Sequence, residues 1–165
     1  VNNGLVDTCY VDKNGDLLFS SREDDRSREE FQQFVEEENI LFSLAFGPVL
    51  IRQGQVVTPE RYAVGEIHDH YPRSALCQLG KLHYLLAVVN GEGDYQQTPT
   101  LHRFGEVLQD RGVQTAYTLD GGQTAVIAMD GELINAVLFG YQRKISDIIY
   151  FATAIPAGQN EETDI

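Results

Sequence analysis

Three places in the chain gather residue types that do chemistry: Asp120-Gly121-Gly122-Gln123-Thr124, Pro72-Arg73-Ser74, and Arg143 followed by Ser146-Asp147. In the first, a carboxylate and two glycines stand between two runs of apolar alternation. Such a carboxylate can direct a water molecule. Adjacent glycines can leave backbone N–H groups facing an anion. The same letters also spell a plain turn, where Asp and Gly are common for conformational reasons. Gln123 and Thr124 weigh toward a site, because they put two more polar side chains where a strand restarts. Arg73 directly precedes an apolar stretch in a chain with few cations. It could clamp a phosphate through two parallel N–H donations, or pair with a surface carboxylate. Arg143 carries the same two readings.

Other polar clusters are weaker. His68-Asp69-His70 has the i, i+2 spacing of a chelating pair, but no Cys or third His stands at a usual zinc spacing. A solvated loop is the better reading. His83 and His102 read as structural. Asp12-Lys13-Asn14-Gly15-Asp16 imitates the start of a calcium loop, yet the sixth place, which requires Gly, holds Leu17. Cys9 and Cys77 have apolar neighbours and no metal spacing, so they read as buried free thiols.

These residues need elements to hold them. LVDTCYV and DLLFS flank DKNG, and Asn-Gly between apolar runs predicts a hairpin. Residues 27–39 predict a helix: Ser27 and Glu30 make a capping box, Phe31, Phe34 and Val35 form a narrow stripe, and Glu36-Glu37-Glu38 a solvated face. Residues 40–57 predict a buried strand, a break at Gly47-Pro48, a second strand, and a turn at Gln53-Gly54 into a third. Residues 58–71 form a loop; 74–77 and 82–89 are strands, with a turn at 90–93. Residues 98–112 predict a second helix, capped by Thr98 or Thr100, ended by Gly112, with Leu101, Phe104 and Leu108 on one face. A strand through Leu119, the Asp-Gly-Gly turn, a strand through Met129, a turn at Asp130-Gly131 and a last strand over 145–154 follow. The expected fold is α+β: a single domain over residues 1–155, a mixed and mainly antiparallel sheet with two main helices, and a polar tail over 156–165.

Composition bounds the partners. A net charge of −13 over 165 residues disfavours nucleic acid and anionic membranes, since such a surface cannot displace counterions from phosphates. An anionic small molecule then needs a local positive site. The longest apolar run, residues 40–51, is broken by Ser43, Gly47 and Pro48 and is too short to cross a bilayer, so no membrane segment is expected. The opening VNNGLVDT carries no secretion pattern and no Met, and reads as part of a longer product.

Taken in chain order, FGPVLIRQG (46–54), PRSA (72–75), a strand pair, a helix ending in Gly, AYTLDGGQTA (116–125) and QRKISDIIYF (142–151) resemble the phosphodiester glycosidase family over residues 41–151. The family's FGPxL is matched by Phe46 to Leu50, its PR[ST]A by Pro72 to Ala75, its LDGG and following small polar stretch by Leu119 to Thr124, and its terminal Arg and Ser-Asp by Arg143, Ser146 and Asp147. The chain departs from the pattern in three places. It has DGGQT where DGGGS is frequent, Cys77 where PR[ST]A is usually followed by one residue and then Gly, and only Asn2-Asn3-Gly4 as a faint echo of an upstream Asn-Gly strand.

The best-known members of that family remove N-acetylglucosamine from a phosphodiester on lysosomal enzymes; bacterial relatives are described as exopolysaccharide-related. The resemblance implies a hydrolase acting outside the cytoplasm on a small-molecule or glycan phosphodiester. Phosphate leaves readily, so such a site needs charge stabilisation more than a strong acid. The resemblance assigns Arg73 to the phosphate, with Arg143 second, and Asp120 to the sugar carbon. Gly121 and Gly122 would bring backbone donors to the ligand, and Ser74, Gln123 and Thr124 would bind it. Asp147 would orient an arginine, while His70 and Asp69 are candidate proton carriers. Neither cofactor nor metal enters this reading. Two alternatives stay open: a non-catalytic carbohydrate- or phosphate-binding module of a surface protein, and a structural domain in which DGGQT is a turn.

Overall fold

A computed structural model describes residues 5–63, 67–90 and 95–152. The expected turn residues 91–93, the end of the last predicted strand at 153–154, the tail 156–165 and Asn2-Asn3-Gly4 lie outside the described residues.

The chain opens with the predicted hairpin: β1 (Thr8–Asp12) pairs antiparallel with β2 (Leu17–Ser20). Asp12 closes the turn, its Oδ1 accepting from the backbone N–H groups of Asn14 at 2.9 Å and Asp16 at 2.7 Å. Helix α1 (Arg28–Glu37) follows, with both arms of its capping box formed. Strand β3 (Ile40–Ala45) pairs with β1 on its other side, giving a three-stranded sheet in the order β2-β1-β3. Period-two alternation sends Tyr10 and its neighbours to opposite faces. The Tyr10 ring meets Phe31 and Phe34 of α1, while Cys9 and Val11 pack with Val49, Leu76 and Tyr117 of the larger sheet.

That larger sheet is built from β4 (Val49–Arg52), β5 (Gln55–Val56), β6 (Ser74–Gly80), β7 (His83–Val88) and β8 (Thr115–Leu119), in the order β5-β4-β8-β6-β7. Every pair in it is antiparallel. Helix α2 (Leu101–Gln109), capped by Thr100 on the N–H of Arg103, lies across its far face. There Leu101, Phe104 and Leu108 bury against Leu50, Ala75, Cys77 and Ala116. The layers therefore run α1, small sheet, large sheet, α2, an α+β arrangement with two helices and antiparallel sheets.

Three expectations need correction. The stretch 40–45 forms a strand but is not buried: Leu41 is 66% and Phe42 49% exposed, because β3 is the edge of the small sheet. No strand restarts at Gln123. Residues Gly122–Thr124 make a 3-10 turn, and only short strands, β9 (Ala128–Met129) and β10 (Glu132–Leu133), pair afterwards. Residues 145–152 carry apolar letters but pair with no strand among the described residues, and Ile148 and Tyr150 are more than 70% exposed. That segment reaches the body through side chains instead, Ile149 against the inter-sheet core and Phe151 against Tyr84.

Candidate active site

Antiparallel pairing brings the start of β6 beside the end of β8, with Ser74 opposite Leu119 and Ala75 opposite Thr118. Continuing that register one step sets Arg73 against Asp120. Alternation then places Arg73 and Ala75 of one strand, and Ala116, Thr118 and Asp120 of the other, on the face toward α2. Ala75 and Ala116 lie in the core beneath α2. Past the end of that core the sheet opens into a cavity of about 330 Å³, lined by Arg73, Thr118, Asp120, Ile67, Leu101 and the Phe46-Gly47-Pro48 corner, among others.

The cavity's charged groups differ in setting. Arg73 is only 6% exposed, and its Nη2 donates to the carbonyl of Asp69 at 2.8 Å. A guanidinium held in such surroundings interacts more strongly with an anion than one in water would. Asp120 stands at the cavity edge with its side chain 44% exposed. Its Oδ1 accepts from the N–H of Gly121 at 3.0 Å, and its Oδ2 accepts from Arg143 Nη2.

The glycines serve packing first. A Cβ at Gly121 would lie 2.4 Å from the carbonyl oxygen of Pro72, so only glycine lets the loop come this close to the strand entering β6. Gly122 has φ +61, and its N–H donates to the same Pro72 oxygen at 3.0 Å. The two N–H groups that the sequence offers to a ligand are therefore engaged within the protein, by Asp120 and Pro72. Thr124 Oγ1 likewise turns back to the carbonyl of Gly121 at 2.8 Å. Ser74 Oγ donates to the carbonyl of Asp120, fastening β8 to β6 at the lip of the cavity. Gln123 does line the cavity, and its Nε2 donates to the carbonyl of Tyr141 at 3.1 Å.

The remaining candidates fall away from this group. Asp147 is exposed and forms no ion pair among the described residues; the carboxylate that meets Arg143 is Asp120. Asp69 contributes its carbonyl to Arg73 rather than its carboxylate, and His70 Nδ1 pairs with the carbonyl of Thr98. Neither lines the cavity. Among the described residues no group of His, Cys, Asp or Glu is arranged to hold a metal ion. Cys77, two steps beyond Ala75 on the same face, is a free thiol that burial pushes up to about 12, so it is no nucleophile. The sequence offered Phe46-Gly47-Pro48 only as a family motif and a strand break, and it did not single out Thr118 or Tyr71; all of them line the cavity. Counting back two residues from Asp120 would have found Thr118 on its face.

A Bacillus subtilis (strain 168) protein, described as an uncharacterized SPbeta prophage-derived protein, is 24% identical over 107 residues, or 65% of this chain and 17% of its own length. The zebrafish N-acetylglucosamine-1-phosphodiester alpha-N-acetylglucosaminidase catalytic domain, auto-inhibited by its pro-peptide, shares the fold with a TM-score of 0.60. That match has 21% identity and covers 83% of this chain and 47% of the zebrafish chain. A hypothetical protein from Synechocystis aligns with a TM-score of 0.55 and 16% identity, over 82% of this chain and 32% of that one. The chain thus spans less than half the length of each of these relatives. The sequence model of the phosphodiester glycosidases matches residues 1–152, and the chain belongs to that family.

Proposed function

We propose that the chain carries the bond-cleaving site of a hydrolase for glycosyl phosphodiesters, of which an N-acetylglucosamine 1-phosphodiester is the first candidate. The observation that carries this reading is that buried Arg73 and Asp120, each one residue beyond the paired ends of β6 and β8, line one cavity. The family supports the reaction class, and the zebrafish domain's name supports the substrate class. Arg73 holds the departing phosphate, whose growing negative charge it stabilises. Asp120 faces the sugar carbon and directs water to it, while Arg143 holds the carboxylate in place. Water's oxygen bonds to the anomeric carbon as the carbon–oxygen bond breaks. The electron pair of that bond leaves on the phosphate monoester, and water's proton passes through Asp120 to solvent.

The test is hydrolysis of a panel of α-glycosyl phosphodiesters by the wild type, Asp120→Asn and Arg73→Ala. Each variant is expected to lose about a hundredfold or more in kcat/KM with an unchanged far-UV dichroism spectrum. Equal rates in all three proteins would sink both assignments. A binding module is the second reading. It is favoured by the fact that both Asp120 oxygens are already engaged, by Gly121 and by Arg143. Its signature is phosphate affinity that depends on Arg73, with no turnover from the wild type.

A further inference from the structure

Thr118 lines the cavity, is 3% exposed, and its hydroxyl has no hydrogen-bond partner among the described residues. A hydroxyl offers one donor and two acceptor positions, and folding rarely leaves all of them unused in a buried place. The backbone explains why it points where it does. Thr118 is fixed on both sides of its strand, donating its N–H to the carbonyl of Pro48 at 3.1 Å and pairing with Ala75 of β6. Its side chain shares the α2-facing side of β8 with Asp120, two residues on. Arg73 is its diagonal neighbour across the β6–β8 pair, a separation that a long side chain spans.

We infer that Thr118 is a substrate-binding residue whose hydroxyl donates to a phosphoryl oxygen of the ligand held by Arg73, an inference that rests on the placing of phosphate at Arg73 proposed above. Arginine offers only donors, so an oxygen between the two side chains must accept from Arg73, and the Thr118 hydroxyl can donate to that same oxygen. A phosphoryl oxygen, with its lone pairs and negative charge, meets that requirement. Thr58 supplies the contrast. Its Oγ1 is also buried without a partner among the described residues, but it sits against Gly105 on α2 and does not line the cavity.

The test compares wild type, Thr118→Val, Thr118→Ser and Thr58→Val by calorimetric titration with inorganic phosphate and with free N-acetylglucosamine. KM and kcat for the phosphodiester are measured alongside, together with the denaturation midpoint of each protein. Thr118→Val keeps the shape of the side chain and removes only the hydroxyl. It is expected to weaken phosphate binding and raise KM on the order of tenfold or more, without losing stability. Thr118→Ser should restore affinity to within about twofold of wild type, and Thr58→Val should leave both constants unchanged. Phosphate affinity equal to wild type in Thr118→Val would overturn the inference while leaving Arg73 in its role. So would a loss confined to the free sugar. A wild type that binds no phosphate would overturn the Arg73 reading and the inference together.

Discussion

Gly121 lies with its α-carbon against the Pro72 carbonyl, and the loop that carries Asp120 is set by that contact. Gly121→Ala would place a methyl group 2.4 Å from a backbone oxygen, which cannot swing aside as a side chain would. The expected result is a loss of about 1–3 kcal/mol in denaturant unfolding, with activity falling as Asp120 is displaced. An unchanged midpoint would mean that the strand entering β6 yields easily. The sequence pointed to Asp120, Arg73 and Arg143 as chemically capable, and the structure gathers these three around one cavity. It could not say where the donors point. The N–H groups of Gly121 and Gly122, free on paper, are bound by Asp120 and Pro72, and Asp147 lies apart from the arginine four residues before it. Those outcomes depend on which strand lies beside which, and no local pattern encodes that.

Among the elements, α1 depends most on local interactions. It has no buried residue and touches the body mainly through Phe31 and Phe34 on Tyr10. Its N-terminus is held by Ser27 Oγ on the N–H of Glu30, and by the Glu30 carboxylate on the N–H of Ser27 at 2.8 Å. Ser27→Ala should speed amide exchange in the first turn roughly fivefold while leaving exchange in β6 and β8 unchanged. The Ser27 N–H also holds the Glu30 carboxyl below its ordinary range. That arm of the cap is present above the usual Glu value and is lost as pH falls through the lowered one, so first-turn exchange should accelerate in acid. Both helices and the hairpin were legible because caps, stripes and Asn-Gly turns are local signals. The exposure of β3 and the unpaired segment 145–152 were not. Apolar letters mark what can be buried, and only the sheet order decides what is.

For the whole molecule, the two cysteines report on the integrity of the layers. Cys9 faces the space between the sheets and Cys77 the core under α2, and burial pushes both thiols from the ordinary value near 9 up to about 12. At pH 8 neither should react with an alkylating reagent until the layers part, so labelling of each should track unfolding. Rapid labelling of Cys77 alone would show that α2 lifts separately. Folded values above the unfolded one favour the native state only while the thiols stay protonated. Stability should therefore fall as pH climbs from about 9 toward 12.

Strand β8 has a further consequence. Its Tyr117 points into the inter-sheet space, where its hydroxyl accepts from the N–H of Phe46 and has its single proton within reach of the carbonyls of Asp7 at 2.8 Å and Leu44 at 3.1 Å. The next residue, Thr118, faces the cavity. Sliding the strand by one position would thrust a phenol into the cavity and turn the carboxylate inward among hydrocarbon. The same slip would remove the lock between the layers and the polar lining of the cavity together.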